Sequence, residues 1–94
     1  MARYQARMLD SVSGAEGAYT FEHRDDLMSR PADDIVAAFF EFAEREIFDR
    51  DHVEYELNGA LKNKDLKTVV AIGSLHMHDH PNDAQPFTIF ISAP

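Results

Sequence analysis

Three imidazoles crowd the stretch Leu75-His76-Met77-His78-Asp79-His80. Residues two apart on a strand share a face, so His76 and His78 aim at one point, and His80 joins from the loop beyond. Neutral imidazole is a common ligand for zinc and related ions, so the spacing describes a divalent-metal site on His76, His78 and His80. A plainer account is a strand end running into a polar loop, with His76 at the rim of the core. Adjacent histidines without distant carboxylate partners favour that plainer account.

The order His-x-His-Asp-His superficially resembles the metal motif of metallo-β-lactamase-type hydrolases, but it is one residue short, the chain is far too small and the other ligands are missing, so the resemblance is rejected. Other chemistry has less support. The chain has no cysteine, which excludes disulfides, thiolate zinc sites and thiol catalysis. There is no Gly-x-Ser-x-Gly elbow, and Gly14 and Gly17 lack the strand-to-helix context of a dinucleotide fingerprint. Ser74 lies near His76 in sequence, which alone does not activate a hydroxyl. His23 and His52 read as structural, and Lys62, Lys64 and Lys67 as charges guarding a hairpin tip. A non-catalytic role is expected, with no cofactor beyond the divalent metal of the histidine reading.

Charge is unevenly placed. The net charge is −8, and residues 22–56 hold twelve carboxylates against four arginines, which is the whole excess. That balance disfavours direct binding to nucleic-acid phosphates, and none is expected. It either solvates a helix face or, through Glu41 and Glu44, offers an acidic surface to a basic protein partner. No run approaches the roughly 20 apolar residues of a membrane span, and the N-terminus MARYQARMLD has no apolar signal core. A cytoplasmic protein with no membrane association is expected.

The elements that position these groups follow from periodicity. Pro31 to Phe48 is an amphipathic helix, with Ile35, Val36, Phe39, Phe40, Phe42, Ala43 and Ile47 on one arc. Ser29 or Arg30 is placed to cap it, Pro31 suits its first turn, and Asp33 and Asp34 complement its dipole. Strands with period-2 alternation span residues 2–9, 18–24, 52–61, 66–77 and 87–92. The 94 residues make one domain, 1–94, in the order β-β-α-β-β-β. The fold class is α+β: two layers, with the helix packed on a mostly antiparallel five-stranded sheet.

A turn closed by Lys62 and Asp65 sets Leu57 beside Val70, Tyr55 beside Ile72 and Val53 beside Ser74. Val70 and Ile72 then face the helix, and Val69, Ala71, Leu75 and Met77 face away from it. An apolar second face needs a cover, and Phe90 is placed to extend it. The expected function is therefore a protein-interaction module, a homodimer joined through Val69, Ala71, Leu75 and Met77. The alternative is a small metal-binding protein using His76 and His78.

Overall fold

The computed structural model describes residues 1–10, 16–47, 53–63, 65–79 and 81–93. The strands are β1 (Ala2–Asp10), β2 (Glu16–His23), β3 (Val53–Asn63), β4 (Thr68–Met77) and β5 (Gln85–Ser92). One helix, α1 (Ala32–Glu46), lies between β2 and β3, and a 3-10 turn at Leu27–Ser29 leads into it. The strands form one antiparallel sheet in the order β2-β1-β5-β4-β3, with α1 across one face. This is the two-layer α+β architecture that the periodicity predicts. Among the described residues, no helix is long and apolar enough to cross a membrane.

The helix starts at Pro31, which is its N-cap, and no side chain caps it. The Pro31 carbonyl instead accepts from the amides of Asp34 and Ile35 at 3.0 and 3.2 Å. Proline fits because its missing N–H is one that a helix start leaves unpaired anyway. Asp33 and Asp34 sit in the first turn, against the positive end of the helix dipole, and Arg45 sits in the last.

The buried side of α1 carries Ile35, Val36, Ala38, Phe39, Phe40 and Ala43. Its rings interleave with those of the sheet. Phe39 meets Phe21 edge-on with centroids 5.9 Å apart, and Phe42 stacks on Phe21 at 5.7 Å. Phe40 stacks on Tyr55 at 4.1 Å and meets the edge of Phe87 at 5.4 Å. The sheet side of the core is Tyr4, Ala6, Met8, Val53, Val69, Ala71, Leu75, Ile89 and Ile91. Tyr4 keeps its polar end satisfied by donating to the Arg24 carbonyl at 2.6 Å, tying β1 to the segment after β2.

The β3–β4 register differs from the expected one. Asn63 pairs with Thr68, so the connection takes the four residues 64–67 and not two. Lys67 turns the chain at φ 52, and the Leu66 amide donates to Asn63 Oδ1 at 3.0 Å. The register then shifts between Leu57 and Gly59, giving Leu61 opposite Val70, Gly59 opposite Ile72, Leu57 opposite Gly73 and Tyr55 opposite Leu75.

Because side chains alternate with period 2, this inverts the faces of β4. Val69, Ala71 and Leu75 are buried under the helix, with Met77 partly buried beside them. These four residues belong to the core side of the sheet, which corrects their expected role as an open interaction surface. Val70 and Ile72 face outward instead.

Gly73 makes the bulge possible. A Cβ there would strike the Glu56 carbonyl oxygen and crowd the Phe87 ring. The bulged strand can approach β4 this closely only over a residue without a side chain.

Candidate functional site

Two groups of side chains merit a functional reading, and both lie on the sheet face opposite α1. The first is built on the histidines. His76 pairs directly across from Glu54, near one end of β3 and β4. Its Nε2 lies 2.9 Å from Glu54 Oε2, and His78 Nδ1 lies 3.3 Å from Glu54 Oε1. One carboxylate thus takes both imidazoles. The hydrogen bonds from His76, and then from His78, hold the Glu54 carboxyl below its ordinary pKa.

The sequence brings His76 and His78 together as expected, but the group they converge on is Glu54, whose part was not foreseen. His80 lies outside the described residues. Among the described residues, no three His, Cys, Asp or Glu side chains are arranged to hold a metal ion. Ser74 pairs with Glu56 across the ladder, and no hydrogen bond among the described residues links it to an imidazole. The cluster is a hydrogen-bonded carboxylate–imidazole group at the sheet's end.

The second group runs across the sheet. Register places Leu61, Val70, Phe90 and Arg7 side by side on β3, β4, β5 and β1. The next row on the same face is Gly59, Ile72, Thr88 and Leu9. Five of these are large apolar residues open to water: Leu61 at 79%, Leu9 at 58%, Ile72 at 52%, Phe90 at 42% and Val70 at 38%.

Phe90 stands between two shallow grooves of about 480 and 490 Å³, one bounded by Gln5, Ala18 and Thr20, the other by Met8, Leu9 and Thr88. Charges border the stripe. Arg3 and Arg7 lie on the β1 side, and Glu54 and Glu56 on the β3 side. Arg3 pairs with Glu22 at 3.4 Å and Glu54 with the histidines. Arg7 and Glu56 have no ion-pair partner among the described residues.

Other surfaces are internally compensated. A concavity of about 570 Å³ near the start of α1 is lined by Tyr4, Asp25, Asp26, Met28, Lys62 and Lys67. There Asp25 meets the N-terminal amine at 3.6 Å, Asp26 meets Arg24 at 2.7 Å, and Lys62 donates to the Arg30 carbonyl at 2.8 Å. On α1, Glu41 is exposed, but Glu44 is half-buried and accepts from the Val53 amide at 3.4 Å. Glu44 therefore fastens the start of β3, and the pair does not form a free acidic face.

Alternation alone does not reveal the open-face stripe, because the bulge in β3 sets a register that the turn residues do not predict. The signal that would have found it is Gly59 inside a strand, since a glycine there often marks a bulge. No family model, curated protein or solved structure gives a significant match to this chain.

Proposed function

We propose that this protein is a non-catalytic interaction module that works as a homodimer, using the open face of its sheet. The observation that carries the reading is the apolar stripe of Leu61, Val70, Phe90, Ile72 and Leu9. A sheet with one face under a helix and the other in water should alternate apolar with polar residues. β4 and β5 depart from that pattern at Val70, Ile72 and Phe90, all on the water side. Monomers seldom leave a contiguous apolar area beyond a few hundred Å² uncovered.

A second copy is the favoured cover because two-fold pairing needs only one surface, and C2 is the commonest assembly symmetry. The acidic helix side stays in solvent and keeps the dimer soluble. The cytoplasm suits a chain with no cysteine, which gains nothing from an oxidising compartment.

Light scattering coupled to size exclusion tests the reading. The wild type should elute at twice the mass of the chain at micromolar concentration. Phe90→Glu should elute as a folded monomer, since Phe90 contributes to the outer face and not to the core. A monomeric wild type would end the homodimer reading.

A further inference from the structure

We infer that the two copies dock with their strands crossed, so that Arg7 of each copy pairs with Glu56 of the other. The inference rests on the homodimer reading and adds its geometry.

Two sheet faces related by a two-fold axis must have that axis lying between them, in the plane of the faces. Such an axis maps each position of one face onto its mirror position on the other. The ladder registers supply the map. Arg7 lies in the row of Phe90, Val70 and Leu61, and Glu56 lies on β3 two rows further along, in the row of Ser74 and Pro86. With strands about 4.8 Å apart and same-face neighbours about 6.8 Å apart, Arg7 and Glu56 are about 20 Å from each other. They occupy opposite corners of the apolar stripe. Both are exposed, they carry opposite charge, and neither has an ion-pair partner among the described residues.

An axis that exchanges these corners must cross the midpoint between them, which falls between Thr88 and Ile72. It runs diagonally to the strands and passes close to Leu61. The strands of the two copies then cross at nearly a right angle, one of the two usual sheet-on-sheet arrangements. Three residues of the stripe illustrate the fit. Leu61 and Ile72, lying near the axis, meet their own counterparts. Phe90 lands over Gly59 of the second copy, where a Cβ would have only the Ile72 side chain within reach at 3.9 Å. The bulkiest side chain of the stripe thus meets the position with none.

Area supports a second copy as the occupant. Five strands at about 4.8 Å and four to five rows at about 6.8 Å give a face on the order of 700 Å². A stable interface of standard size takes about 800 Å² from each partner.

Charge reversal tests the arrangement, read by analytical ultracentrifugation of the full chain. Arg7→Glu and Glu56→Arg should each weaken the homodimer by roughly tenfold or more, because each places like charges together twice. Mixing the two variants in equal amounts should restore association to near wild type, as a heterodimer in which both contacts are again opposite. The double variant Arg7→Glu/Glu56→Arg should also associate near wild type. Both positions are exposed and outside the core, and recovery in the mixture would itself show that the singles fold. Single variants that associate like wild type, or a mixture that stays dissociated, would overturn the crossed docking. Dissociation by Phe90→Glu would then still uphold the dimer through this face. A monomeric wild type would overturn both.

Discussion

Val69 and Val70 are neighbours in β4 with opposite surroundings: the first is fully buried beneath α1, and the second is exposed on the open face. The pair reports the register of the whole β3–β4 hairpin. A glutamate at position 69 must bury its carboxylate without a partner, which costs several kcal/mol. A glutamate at position 70 reaches water. Val69→Glu should therefore lose its cooperative thermal transition, while Val70→Glu keeps a native circular dichroism spectrum and dimerises less. The reverse outcome, with Val70→Glu unfolded and Val69→Glu native, would mean that β4 is turned over.

Phe39 and Phe40 lock α1 to opposite halves of the sheet, through Phe21 on β2 and through Tyr55 and Phe87. Truncating a buried Phe to Ala costs about 3–5 kcal/mol, much of the stability of a small domain. Urea denaturation of Phe39→Ala and Phe40→Ala should show losses in that range. A loss below about 1 kcal/mol at both would place the helix on a different surface.

Gly73 faces the backbone of β3 where the bulge brings Glu56 close. Gly73→Ala should cost about 1–3 kcal/mol, the usual range for overpacking. Gly59 is in open space by comparison, and Gly59→Ala should be nearly neutral for folding. Denaturant midpoints of the two variants provide the contrast, and equal effects would remove the bulge from its place.

Acid should weaken the fold through Glu54. Its folded pKa is depressed by His76 and His78, so the unfolded chain takes up the proton first as pH falls. Stability from this pairing is present above the ordinary carboxylate pKa of about 4.3. It is lost as pH drops through the lower, folded value. At the other extreme, burial raises the pKa of Tyr4 and Tyr55. The unfolded chain then loses those protons first, and stability declines as pH rises beyond about 10. Denaturation midpoints followed across pH should show the acid limb flatten in Glu54→Gln and the alkaline limb flatten in Tyr55→Phe. An acid limb identical in Glu54→Gln would assign it to other carboxylates.

Zinc has to compete with Glu54 for His76 and His78, whose contacting nitrogens already face its carboxylate oxygens. Micromolar zinc should leave the thermal midpoint of the wild type unchanged. A stoichiometric rise that His76→Ala/His78→Ala removes would restore the metal reading by linkage.

Local chemistry made most of the fold legible. The Phe-rich arc of α1 and the alternation in β1 and β5 each point one way, and they agree with one another. The outer face of β4 was not legible from alternation, because Val69, Val70, Ala71 and Ile72 are all apolar and either side can be the inner one. Only the neighbouring strand decides, and that depends on a bulge at Asn58 and a four-residue connection that periodicity does not encode. The histidine cluster was visible, but its carboxylate partner was not, since Glu54 comes 22 residues earlier and meets His76 only across the ladder. Glu41 and Glu44 look alike in sequence, yet Glu44 is claimed by the Val53 amide.

The antiparallel pairing of β1 with β5 joins the first strand of the chain to the last. Until β5 arrives, the molecule is two separate hairpins with an aromatic helix between them and no shared sheet. A growing chain on the ribosome therefore cannot finish this fold in stages. It must hold Phe39, Phe40 and both inner faces in an incomplete state until Ser92 has emerged. The long β1–β5 loop is therefore closed late, and its closure entropy falls on the last step of folding.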